Sequence, residues 1–101
     1  MYVFMYNHSA MRYIYDPIKK AANLKKHGLD FDDAKTVIES ANAMVFEDCR
    51  HNYGERRFGT IGFLRGILVV IITTETTEII RIISMRKANK NEQKNYFTRL
   101  G

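Results

Sequence analysis

A chain of 101 residues with 46% hydrophobic residues and one cysteine has the size of a single domain with a modest core. The lone Cys49 excludes an intramolecular disulfide framework, and the longest apolar run, Ile67 to Ile72, is far too short to span a bilayer. A formal net charge of +5 points to nucleic acid, an anionic surface or an acidic partner, and with no signal-peptide layout at the N-terminus the expected location is the cytoplasm, without membrane contact.

Residues 1–11 read as an N-terminal extension or a short extra strand, and residues 12–101 as one domain. Tyr13, Ile14 and Tyr15 predict a short strand. Asp16 then has the character of an N-cap with Pro17 at the first helical position, where a missing N–H costs nothing. The predicted helix turns Ile18, Ala21, Ala22 and Leu24 inward, places Lys25, Lys26 and His27 in its last turn and stops at Gly28. A second helix is predicted from Asp30, with Phe31, Ala34, Val37 and Ile38 at core spacing.

From Ala43 the period changes to that of strands. Ala43 to Phe46, Arg57 to Phe63, Ile67 to Thr74 and Ile79 to Met85 are rich in β-branched and aromatic residues. Arg65-Gly66 is a tight hairpin turn, and Thr76 and Thr77 fall in the next one. The unbroken run Leu68 to Ile72 predicts a central strand covered on both faces. Asn89 caps a basic final helix. The expected fold is therefore α+β: two N-terminal helices packed on an antiparallel meander of about four strands, with a short N-terminal strand and a C-terminal helix.

Charge is unevenly spread. Asp30, Asp32, Asp33, Glu39, Glu47 and Asp48 face only Lys35 in the middle of the chain, whereas Arg81, Arg86, Lys87, Lys90, Lys94 and Arg99 face only Glu92 after Glu78. Arg81 interrupts an apolar strand. Its planar fork suits a phosphate, and the competing explanation is an ion pair with Glu75 or Glu78 across the hairpin. Strict alternation would set Arg81 and Arg86 on opposite faces, unless a bulge near Ser84 intervenes. The loop from Cys49 to Arg57 packs His51, Glu55, Arg56 and Arg57 together. His51 and Glu55 have the chemistry of an acid–base pair, with Arg57 stabilising negative charge, and the alternative is a solvated hairpin loop whose arginines pair with Glu47 and Asp48. His8, His27 and His51 are too scattered for a metal motif, and neither a metal nor another cofactor is expected.

The pieces Asp16-Pro17 with Lys19 and Asn23, Lys26-His27-Gly28, Phe31, Ala34 and Val37 recur in the same order as in one known family. So do Asp48, His51, Gly54-Glu55-Arg56-Arg57-Phe58, Gly62, Leu68-Val69-Val70, Thr74-Glu75 and the long stretch Arg81 to Ala88. On these residues the chain resembles the BrnT toxins of bacterial type II toxin–antitoxin systems, over about residues 13 to 97. The resemblance implies a RelE-like fold and a metal-independent endoribonuclease that arrests translation. It further implies neutralisation by a BrnA-type antitoxin, whose complex binds operator DNA through the antitoxin. Carried over, Arg57, Arg81 and Arg86 would contact phosphate, with Glu55 or His51 carrying the proton. Lys26, His27, Arg56, Ser84, Lys87 and Lys90 would line the RNA path. Two departures stand out: Glu39 to Ala43 lacks the proline that often precedes the first long strand, and Thr76, Thr77 and Glu78 replace arginine and glycine at the last hairpin. The alternative is a non-catalytic module that binds nucleic acid or the antitoxin.

Overall fold

Asp16 does cap a helix, and the rest of the fold follows from that point. In the computed structural model, which describes residues 11–48 and 54–100, the order is β1 (Arg12–Tyr15), α1 (Pro17–His27), a 3₁₀ turn (Phe31–Asp33), α2 (Ala34–Ile38), β2 (Met44–Asp48), β3 (Arg57–Leu64), β4 (Ile67–Glu75), β5 (Ile79–Lys87) and α3 (Lys90–Leu100). The Asp16 carboxylate accepts the Ile18 N–H at 2.8 Å, and Gly28 closes α1 in the left-handed region, with φ 70°. The expected second helix is shorter than predicted: Asp30 caps the 3₁₀ turn, and only Ala34–Ile38 is α-helical. The reading of residues 1–10 as an extra strand lies outside the described residues.

The strands form one sheet in the order β1-β5-β4-β3-β2. β2 to β5 make the predicted antiparallel meander, and β1 adds to the edge of β5 in parallel. Arg65 and Gly66 both have positive φ, 48° and 81°, as a two-residue hairpin turn with the twist of its strands requires. β4 is buried on both faces from Leu68 to Thr73. Val69 and Ile71 meet Val37, Phe31, Ala34 and Leu29 on one face, and Leu68, Val70 and Ile72 meet Ile61, Ala88 and Tyr96 on the other. The sheet is thus covered by α2 and the 3₁₀ turn on one side and by α3 on the second. α3 is anchored by Tyr96, fully buried, whose hydroxyl donates to the Asn42 carbonyl at 2.8 Å.

α1 departs from expectation. Its predicted inward residues Ile18, Ala21, Ala22 and Leu24 are all exposed, Ile18 to 80%. The buried position is polar: Asn23 donates to the Leu29 carbonyl at 3.0 Å and accepts the Met85 N–H at 3.1 Å. β1 reaches only to Ile82, so the Met85 N–H lies beyond its ladder. A side-chain amide completes that bond where no strand is available, because a buried N–H must be paired.

Lys20 leads a polar cluster at the other end of the first loop, within 3.4 Å of Asp30 and 3.3 Å of Asp32. The Asp30 carboxyl is held below its ordinary value of 3.8, chiefly by the Asp32 N–H that it accepts, with desolvation opposing and Lys20 assisting. A depressed folded-state pKa contributes stability that is present above 3.8 and lost as pH falls through the lower folded value. Wild-type melting temperature should therefore fall more steeply than that of an Asp30→Asn variant between about pH 5 and pH 2. Parallel acid-melting curves for the two would remove Asp30 from this account.

Candidate active site

Arg81 and Arg86 lie on the same face of the sheet, contrary to strict alternation. The reason is a bulge: Ile72 of β4 pairs with Ser84, but the next residue, Thr73, pairs with Ile82, so Ile83 is an extra residue in β5. Ile80, Ile82 and Met85 consequently face the α2 side, while Arg81 and Arg86 face the α3 side. The inserted residue turns an out-of-phase pair of arginines into a co-facial one.

The two arginines nevertheless have different surroundings. Arg86 is half-buried and bidentate on Glu92 of α3, at 2.7 and 2.9 Å. Glu92 and Asn89 form a capping box: the Glu92 N–H donates to Asn89 Oδ1 at 2.8 Å, and the Asn89 N–H donates to Glu92 Oε1 at 2.9 Å. Arg86 thus ties β5 to the start of α3. Arg81 lies five positions earlier, on the order of 15 Å away along the strand. Its Nε donates to Thr74 Oγ1 at 3.2 Å, and its Nη2 lies 3.0 and 3.1 Å from the two oxygens of Glu55. The ion pair with Glu75 or Glu78 weighed from sequence is replaced by one with Glu55, 26 positions away in the chain.

Arg57 completes the cluster. Phe58 faces Thr73 across the β3–β4 ladder, which brings Arg57 beside Thr74, and its Nε and Nη2 both lie 3.3 Å from Glu55 Oε2. One carboxylate is therefore gripped by two guanidinium groups. All three side chains keep contact with solvent, and Ile14, Glu55, Thr74, Ile79 and Arg81 help to line a shallow groove of about 510 Å³. Asp48 stands opposite Arg57 in the β2–β3 ladder and is buried. Guanidinium forks that hold a carboxylate in an exposed groove have the geometry to hold a phosphate instead, since both ligands accept two parallel hydrogen bonds.

The other candidates are dispersed. Arg56 is bidentate on Glu47 at 3.0 Å and lies over the Phe58 ring, and it holds the Glu47 carboxyl below its ordinary range. Ser84 sits beside the bulge, and Lys87 and Lys90 are exposed around the start of α3. Lys26 and His27 end α1, which packs on β5, with Lys26 exposed and His27 half-buried. His51 and Cys49 lie outside the described residues. Among the described residues no three His, Cys, Asp or Glu side chains converge as a metal site would require. Thr74 is a supporting residue that sequence reasoning misses: its β-branched type and its place before a hairpin give no sign that it supports the guanidinium of Arg81.

Fold and groove together define an α+β domain in which two arginines converge on one carboxylate at a groove on one face of its sheet. Comparison with known families makes this specific. The profile of BrnT, described as the ribonuclease toxin of a type II toxin–antitoxin system, matches residues 15–92, and the chain belongs to that family. Membership implies an RNA substrate and an antitoxin protein as partner. No curated protein matches the chain. Among the described residues no helix is long and apolar enough to cross a membrane.

Proposed function

We propose that this chain is a RelE-like endoribonuclease of the cytoplasm that cuts RNA without a metal ion, so arresting translation, and that a BrnA-type antitoxin neutralises it and carries the complex to operator DNA. The observation that carries this reading is the convergence of Arg57 and Arg81 on Glu55. A scissile phosphate entering the groove competes with Glu55 for the two forks. Once displaced, the carboxylate has free lone pairs next to the bound phosphate and takes the proton from the ribose 2′-hydroxyl. The 2′-oxygen attacks phosphorus, Arg57 and Arg81 neutralise the phosphorane, and the 5′-oxygen leaves with a proton. The products are a 2′,3′-cyclic phosphate and a 5′-hydroxyl end. His51, on the same β2–β3 connection, is the second proposed proton carrier and would protonate the leaving oxygen.

In this scheme Arg86 acts through its charge and through α3, because Glu92 holds its fork. Lys87 and Lys90, with Arg56, Ser84, Lys26 and His27, supply the basic path along which RNA approaches. Incubation of the purified protein with single-stranded RNA in EDTA should give fragments ending in cyclic phosphate, with RNA affinity falling as salt rises. Intact RNA in the presence of folded protein that still binds it would instead establish the non-catalytic module.

A further inference from the structure

The face that carries Arg57 and Arg81 extends along β3 toward α3 and passes Phe46 on the way. Phe46 of the edge strand β2 is the cross-strand partner of Gly59. A Cβ placed on Gly59 would collide with Cζ of that ring and stand 2.6 and 2.7 Å from Cε1 and Cε2. Near-equal distances to the two Cε atoms, only slightly longer than the one to Cζ, mean that the glycine lies over the plane of the ring rather than in line with its tip. The ring is therefore laid flat on the Gly59 backbone, and only a residue without a side chain allows it.

Covering a strand glycine with an aromatic ring is a known stabilising arrangement and accounts for the inner face of Phe46. The outer side of the residue remains 36% exposed and borders a groove of about 480 Å³ between β2, β3 and α3. Met44 and Ile61 form the apolar floor of that groove, and Glu92 (its charge held by Arg86), Asn95, Thr98 and Arg99 supply polar groups from α3. Gly59 is two residues from Arg57 on the same face, roughly 7 Å along the strand. That is about one nucleotide step from the arginines.

We propose that Phe46 is a stacking platform for a nucleobase of the RNA, next to the nucleotide whose phosphate lies on Arg57 and Arg81. The inference rests on the ribonuclease reading above and extends it to substrate binding. An aromatic ring bordering an open groove, hydrogen-bonding side chains at its rim and a pair of arginines one step away are the components of single-stranded RNA recognition. A protein segment would need the apolar floor but not the alignment with the arginines.

Phe46→Leu still covers Gly59 but offers no π-face. It should raise the KM for RNA roughly 5- to 100-fold with little change in kcat or melting temperature. Phe46→Trp should keep wild-type KM, and because the chain has no tryptophan it also supplies a single fluorophore. Its emission should be quenched by a short single-stranded RNA, and much less by the same oligonucleotide with abasic positions. This second measurement needs no cleavage, so it tests the platform even if the ribonuclease reading fails. Wild-type KM in Phe46→Leu, or equal quenching by the abasic strand, overturns the proposal. A Phe46→Leu variant that cuts RNA normally but loses antitoxin affinity overturns it too, and makes the groove a protein-docking surface.

Discussion

Replacing Arg81 with alanine should lower RNA cleavage by about 10²- to 10³-fold while leaving the protein folded, the magnitude found when one preorganised donor to a developing oxyanion is removed. The loss should fall on kcat more than on KM, because charge accumulates on the phosphorane and not on the bound RNA. Stability should barely move: the Arg81–Glu55 pair is partly solvent-exposed, and exposed ion pairs contribute on the order of 0–1 kcal/mol. Arg81→Lys keeps the charge but not the fork, and lysine cannot reach Thr74 and Glu55 together as Arg81 does. It should recover only a minor part of the activity. Single-turnover assays on a defined RNA measure both quantities. An Arg81→Ala variant with unchanged kcat would remove Arg81 from the phosphorane site. Glu55→Gln then separates the two roles of the carboxylate. A base is lost outright with glutamine, whereas a residue that merely occupies the two arginine forks would leave cleavage near wild type and phosphate affinity raised.

How far such a site is legible in sequence depends on the range over which its residues cooperate. The start and stop of α1 were legible because Asp16, Pro17 and Gly28 act within one helical turn of their own positions. The hairpin at Arg65-Gly66 was legible for the same reason, and the burial of β4 followed from an apolar run that admits no other environment. The contact between Glu55 and Arg81 spans 26 positions, and nothing local to either residue names the other. Their residue types marked both as candidates; only the meander, which lays β3, β4 and β5 side by side, brings them together. The facing of Arg86 depended on a bulge near Ser84, which the sequence raises as a possibility but does not decide. The extra residue at Ile83 is an ordinary β-branched residue in an ordinary strand, so no glycine or turn residue announces the bulge. The Asn89-x-x-Glu92 spacing was half legible: the cap at Asn89 could be read, whereas the recruitment of Glu92 by Arg86 needed the fold. The inward face of α1 misled because apolar periodicity normally marks the buried side, and here the helix docks through an amide that completes the backbone hydrogen bonding of its neighbours.

That amide makes Asn23 the position where a single change should cost most stability. Asn23→Ala leaves the Met85 N–H and the Leu29 carbonyl without their partner, in surroundings where both residues are at least 95% buried. An unsatisfied buried polar group costs about 1–3 kcal/mol, so the pair should cost roughly 2–6 kcal/mol. For a domain of this size that corresponds to a fall in Tm on the order of 10–25 °C. Asn23→Leu should do no better, since added apolar area pairs neither group. The Asn23→Asp variant discriminates further. It retains an acceptor for Met85 but sets a second oxygen against the Leu29 carbonyl, and only its protonated form can donate there. Its carboxyl pKa must then be raised in the folded state, so its stability should increase as pH falls toward the ordinary carboxylate range and decrease above it. Thermal or urea melts of the three variants against wild type test the account directly. If Asn23→Ala melts within a few degrees of wild type, α1 is not held by this amide. If Asn23→Asp shows no gain at lower pH, the donor role toward Leu29 is wrong even should the alanine variant prove unstable.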